Sequence, residues 1–235
     1  ANKFSVYNIS MTHSQTKPYA DRWHDQNQAV YGTLQLGWNG MVYVDGTVRN
    51  DWSSQLAFTP DQSVCYYSVG LSGVISSMAD LSGAGISFLK VRGSYSTAGN
   101  PPQRFITGVN TPLTVGGNIS SDTYAPAKNL KPELTKSYEA GLNVKFLEDM
   151  FDLDVTYYNA TTYNQLFMYD AAPSTGYKQA YINAGKVNNY GVELSFGFKH
   201  TWRDFFWGST VTWSMNRNKI NELVPEGTLD VTGKV

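Results

Sequence analysis

The feature that most constrains this chain is a strict alternation of apolar and polar residues that opens at Ser137 and closes at Phe146. Tyr138, Ala140, Leu142, Val144 and Phe146 fall on one face of a strand, and Ser137, Glu139, Gly141, Asn143 and Lys145 on the other, because successive side chains of a strand point to opposite faces. One face suits lipid and the other water. A soluble sandwich strand alternates too, so the decision rests on repetition and on the connections.

The pattern does repeat. Val30, Gly32, Leu34, Leu36 and Trp38 lead into Asn39-Gly40, the strongest short hairpin signal, and Val42, Val44 and Val48 return from it. Five further strands read the same way, on Cys65 to Leu71, Leu89 to Tyr95, Phe151 to Tyr157, Val192 to Phe198 and Phe205 to Met215. With a first strand near residues 3–9, about nine strands are predicted. Their connections take turns in length: short at 38–40, longer at 51–62, short at 77–85 with room for one helical turn, very long at 97–131, short at 147–150, long at 159–189, short at 200–204. Membrane barrels sort loops in this way, with tight periplasmic turns on one rim and extended loops on the other, whereas a sandwich has no reason to sort length by parity. Trp38, Phe146, Phe151, Trp202, Phe205 and Trp207 all sit near the short turns, as an interfacial aromatic girdle would.

Composition supports this reading. Aromatic residues make up 14% and charged residues 16% of the 235 residues, the latter well below the quarter or so usual in globular domains. No apolar run approaches the roughly 20 residues of a membrane helix, so a membrane reading requires a barrel. A net charge of -1 with dispersed basic residues leaves no footprint for nucleic acid. The single Cys65 excludes an internal disulfide and reads as a small apolar filler. No basic segment followed by an apolar one opens the sequence, so a secretion signal is expected to have been removed or to lie on a longer protein. Nine strands would leave two open edges, which makes this chain an expected segment of a larger barrel.

Catalytic and metal-binding arrangements find little support. Asp152 and Asp154 share a face, but an inward strand face is polar by requirement, so the pair needs no acid/base role. His200 falls on the opposite rim from His13 and His24, and Asp21 and Asp25 beside His24 lack the glycine-punctuated spacing of a calcium loop. Gly70 to Gly73 and Gly83 to Gly85 match no phosphate loop. No catalytic residue, metal site or cofactor is expected.

Leu130-Lys131-Pro132-Glu133 followed by Tyr138-Glu139-Ala140-Gly141 resembles the C-terminal barrel region of TonB-dependent outer-membrane transporters. More narrowly, the chain resembles the SusC/RagA family of Bacteroidetes, through Arg49-Asn50-Asp51-Trp52-Ser53-Ser54, Lys90-Val91-Arg92-Gly93-Ser94-Tyr95-Ser96, Leu153-Asp154-Val155-Thr156-Tyr157-Tyr158-Asn159, Ile182-Asn183-Ala184-Gly185 and Asn189-Tyr190-Gly191-Val192-Glu193-Leu194. The resemblance implies a 22-stranded barrel of a Gram-negative outer membrane. It also implies a plug domain reached by the TonB complex, and a SusD-like lipoprotein closing the outer mouth during uptake of a glycan, oligosaccharide or peptide. Residues 1–235 would then be part of the barrel domain, with the plug, signal peptide and final strands absent. Loop residues Trp52, Tyr124, Tyr163, Tyr169 and Tyr177 are the candidate ligand contacts, since aromatic faces stack on sugar rings and peptides. The alternative from a different class is a soluble or surface-anchored β-sandwich that binds carbohydrate.

Overall fold

A computed structural model describes residues 24–103, 106–108, 125, 127, 129–172, 174 and 177–223. Eight strands form one antiparallel sheet in the order β1-β2-β3-β4-β5-β6-β9-β10. They are β1 (Asn27–Trp38), β2 (Val42–Ser53), β3 (Ser63–Val74), β4 (Ile86–Asn100), β5 (Glu133–Phe146), β6 (Phe151–Tyr163), β9 (Lys186–Trp202) and β10 (Phe205–Glu222). Between β6 and β9 a small hairpin of β7 (Leu166–Asp170) and β8 (Gln179–Asn183) stands apart as a second sheet. The ninth strand expected near residues 3–9 lies outside the described residues.

Register carries the two-faced pattern across the whole sheet. One row runs Trp38, Val42, Gly73, Val91, Leu142, Val155, Leu194, Trp213, each residue opposite the next. On the other face the matching row is Gly37, Tyr43, Ser72, Arg92, Gly141, Thr156, Glu193, Ser214. A one-residue slip anywhere would exchange these faces. No second sheet covers the apolar face among the described residues, and Leu71 and Val211 there are 57% and 64% exposed. The sandwich alternative fails on that point, since a sandwich buries its apolar face against a partner sheet.

Connections sort by rim as the sequence predicts, with one pair excepted. Tight turns lie at 39–41, 147–150 and 203–204 on one rim, and long connections at 101–132 and 164–185 on the other; the remaining pair does not follow in length, since 75–85 on the turn rim is longer than 54–62 on the loop rim and is compacted by its two helical turns instead. Asn39 and Gly40 both take positive φ (51° and 67°), and the Met41 amide returns to the Trp38 carbonyl at 2.9 Å. The turn at 75–85 holds the expected helical turn, Ile75–Met78, and a 3-10 turn, Ser82–Ala84. There the hydroxyl and amide of Ser82 hold the Asp80 carboxyl below its ordinary pKa. The turn after β5 is strained: Leu147, Glu148 and Asp149 take φ of 53°, 56° and 63° in succession, each costing about 1–2 kcal/mol for a residue with a Cβ. Neighbours hold it in place, because the Leu147 amide donates to the Gly85 carbonyl and the Lys199 amide to the Met150 carbonyl, both at 2.8 Å.

Of the aromatic residues predicted beside the short turns, Phe146, Phe151, Trp202, Phe205 and Trp207 make ring contacts along this rim, and Trp38 stands 65% exposed at the end of β1. Phe146 and Phe151 lie 5.1 Å apart, Phe151 and Phe198 5.3 Å, Trp202 and Phe205 6.2 Å, and Phe205 and Trp207 6.4 Å. Buried apolar residues gather elsewhere. Leu56, Ile106, Leu130, Ala180, Ala184 and Val187 are each less than a tenth exposed, and all belong to the long connections or to the strand end beside them.

Candidate functional site

The polar face of the wall carries a connected set of side-chain hydrogen bonds. The densest of these bonds join stretches singled out in the sequence. Arg92 on β4 reaches across β5 to β6, where its guanidinium donates to both carboxylate oxygens of Asp154 at 2.8 and 3.1 Å and to the Thr156 hydroxyl at 2.5 Å. It can do so because the position it crosses is Gly141, where a Cβ would lie 2.5 Å from the Arg92 Nε. The side chain therefore runs along the wall, from β4 across β5 to β6. Asn143 donates to Asp152 and Asp154 at 3.2 and 3.1 Å, and the Lys145 ammonium stands 3.9 Å from Asp152. The two carboxylates considered in the sequence as an acid/base pair are thus tied up as acceptors in a half-exposed network. Beside it an open hollow of about 600 Å³ is lined by Asn143, Asp152, Asp154, Ser195, Lys199 and Thr210, among others.

At the loop rim, motifs far apart in sequence meet. The Lys131 amide donates to the Asn183 side-chain oxygen at 2.6 Å, and the Asn183 amide group donates back to the Lys131 carbonyl at 2.8 Å and to the Asn164 carbonyl at 2.9 Å. Glu133 accepts from the Leu166 amide at 3.1 Å, and the Gln179 carbonyl accepts from the Ala125 amide at 2.8 Å. The Leu-Lys-Pro-Glu and Ile-Asn-Ala-Gly stretches therefore latch the β7–β8 hairpin onto the loop that follows β4. Arg49-Asn50-Asp51-Trp52-Ser53-Ser54 closes the upper end of β2 in the same manner: Arg49 donates to Asp51, Asn50 and Ser63 exchange bonds at 2.9 and 3.1 Å, and Ser53 donates to Asn27 at 2.7 Å. Sequence reading saw these stretches as markers; their role as fasteners between strands needed the fold.

The candidate tyrosines and tryptophan separate into three groups. Tyr169 pairs with Ala180 in the hairpin and Tyr177 lies in its connecting turn, both half-buried at the loop rim. Trp52 and Tyr163 stand at the loop-side ends of β2 and β6, but their register puts them on the outward face, with Val48 and Val155 respectively. Tyr124 lies outside the described residues, as do His13 and Asp21. His24 precedes β1 at the loop rim and His200 packs against Trp202 at the turn rim, 4.5 Å between ring centres. Among the described residues no cluster of His, Cys, Asp and Glu is arranged to hold a metal.

Comparison with known proteins agrees with this wall. The family described as TonB dependent receptor-like, beta-barrel matches residues 2–234. TonB-dependent receptor P3 of Formosa agariphila is 26% identical over 213 residues, covering 85% of this chain and 21% of that protein. TonB-dependent receptor P39 of the same organism is 23% identical, covering 99% of this chain and 22% of that protein. The chain thus spans about a fifth of these relatives. Among solved structures, the RagAB peptide transporter superposes with a TM-score of 0.76 at 23% identity over 86% of this chain and 23% of that one. The siderophore receptor PirA of Pseudomonas aeruginosa reaches 0.56 at 16% identity, over 83% and 35%. At such identities these two show a shared fold, and the RagA-like likeness expected from the sequence is the stronger of the pair. Because the family match runs through every strand of the wall and both of its rims, this chain belongs to the TonB-dependent receptor-like β-barrels of the outer membrane.

Proposed function

We propose that this chain is a wall segment of a transporter that imports a glycan, oligosaccharide or peptide across the outer membrane. In this reading residues 1–235 form part of the barrel domain of a longer protein, whose plug domain is worked by the TonB complex and whose outer mouth is closed by a SusD-like lipoprotein. The observation that supports it best is the division of the sheet. At mid-height one face is apolar from edge to edge, while the other is polar and hollowed, and at one rim the loops are latched to each other. RagAB, with which the wall superposes, is described as a peptide importer, and that favours peptides among the three substrate classes. Tyr169 and Tyr177, on the latched hairpin, are the proposed ligand contacts, supplying flat apolar faces with hydroxyl groups. Trp52 and Tyr163 face outward and fit the membrane boundary better.

The test uses the intact transporter in its outer membrane, with Y169A and Y177A introduced together. Binding of oligopeptide and oligosaccharide pools and their uptake into cells are measured beside barrel assembly. Binding of one class is expected to weaken about tenfold, with assembly and lipoprotein co-purification unchanged. Unchanged binding would remove the hairpin from recognition, and failure to take up either class would overturn the import reading.

A further inference from the structure

The charged residues on the wall's outward face are sorted by sign and by height. Four basic residues point outward from the described strands: Lys136 on β5, Lys186 on β9, and Arg217 and Lys219 on β10. All lie in three neighbouring rows at the loop rim. The lowest runs Tyr95, Tyr138, Asn159, Tyr190, Arg217; the next Thr97, Lys136, Thr161, Asn188, Lys219; the highest Gly99, Leu134, Tyr163, Lys186, Glu222. Every other basic residue on the described strands (Arg49, Lys90, Arg92, Lys145, Lys199) falls on the inward face. The sole acidic residue in these rows is Glu222, and none of the four cations has a carboxylate at ion-pair distance among the described residues.

The height is that of a membrane surface. Lys136 lies about ten residues above Phe146 of the turn-side aromatic rim, and Arg217 about ten above Trp207, which at ~3.4 Å per residue and a tilt of about 40° is roughly 26 Å. That equals the height of the apolar band of such barrels, about 25 Å. The tyrosine row thus marks the upper hydrocarbon edge; Arg217 stands in that row, and Lys136 and Lys219 stand one row and Lys186 two rows beyond it, on the side of the long extracellular loops. Two of them converge: the ammonium groups of Lys136 and Lys186 lie 5.4 and 5.3 Å from the centre of the same Tyr163 ring. Two like charges held over one ring raise the local positive potential, and a shared anion lowers it. From β5 to β10 the patch spans three strand spacings, about 14 Å, enough for a headgroup carrying more than one charge.

We propose that this patch is a binding site for an anionic glycolipid of the outer leaflet, its phosphate held by Lys136 and Lys186 beside Tyr163 and by Arg217 and Lys219, its acyl chains lying against the Val155, Leu194 and Trp213 row. The site is separate from the lumen and independent of the substrate carried. It would fix the height and rotation of the wall against the lipid.

The intact transporter, purified in a neutral detergent, is titrated with bis-phosphorylated lipid A and with the same lipid after dephosphorylation, and bound lipid is counted by native mass spectrometry. The phosphorylated form should bind at least tenfold more tightly. K136Q/K186Q and R217Q/K219Q should each lose on the order of twentyfold of that affinity, at about fivefold per surface charge removed, and the loss should shrink at high salt. K136R/K186R should retain binding, and K178Q, in the hairpin turn, should leave it unchanged. Equal binding of both lipid forms, or glutamine pairs that bind like the wild type, would overturn the proposal. So would a loss that arginine does not restore, which would assign the lysines to packing on Tyr163, or displacement of the lipid by millimolar inorganic phosphate, which would make the patch a site for free anions.

Discussion

At mid-height of the wall Leu142 is 36% exposed although a paired strand lies on either side of it, while a little earlier in the chain, at the loop rim, Leu130 is 2% exposed. The two leucines answer to different solvents. At that rim the long connections are bonded to one another, and Leu56, Ile106, Leu130, Ala184 and Val187 are shut off from water as the residues of a soluble core are. The wall at Leu142 has no such core; its backbone bonds are satisfied across the ladder, and its side chains are left for lipid to cover. Burial by the chain itself therefore stabilises the rim, and burial by the bilayer stabilises the wall.

This contrast can be pressed at three points. Leu130→Ala should cost about 2–5 kcal/mol of local stability, equally in detergent and in lipid, because the cavity lies within the protein; hydrogen exchange at the Lys131 and Ala184 amides would report it. Insensitivity of those amides would show that the rim is not packed as described. Leu142→Arg should cost about 2–4 kcal/mol in a bilayer, while the adjacent inward exchange Asn143→Ser costs under about 1 kcal/mol. Urea unfolding of the intact barrel from vesicles measures both, and the reverse ranking would invert the two faces. The smallest effect belongs to the turn rim, where Glu148→Gly should stabilise by about 1 kcal/mol, since glycine takes positive φ without the clash that a Cβ suffers. Glu148→Val should lower the midpoint of the same unfolding curve, and equal midpoints would show that the turn relaxes in the membrane.

The alternation that located the strands also explains where strand ends went unread. β10 continues past Met215 through Asn216, Arg217, Asn218 and Lys219 to Glu222, and β6 runs on through Asn159 and Thr161 to Tyr163. These ends are polar on both faces, because they rise beyond the hydrocarbon and meet water or headgroups on both sides. A period of two in hydropathy exists only where the two faces meet different media. The hairpin β7–β8 was missed for a related reason: Leu166, Phe167, Met168 and Tyr169 are apolar in succession, as suits a short strand pair covered by loops.

By itself the sequence determined the strands through the bilayer, their inward and outward faces, the three tightest turns and the two longest loops on opposite rims, the aromatic band beside the short turns and the family, because each is written in residues close together in the chain. Tertiary structure decided which distant residues meet. Arg92 finds Asp154 only when β4, β5 and β6 lie side by side with Gly141 between them, and Asn183 finds Lys131 only when the β6–β9 connection folds over the loop after β4. Lys136, Lys186 and Arg217 are likewise scattered along the chain, and antiparallel register sets them in adjacent rows on one side of the wall. Local pattern follows from the medium around each side chain, whereas contacts across the sheet depend on register, and register is fixed only once all the strands have paired.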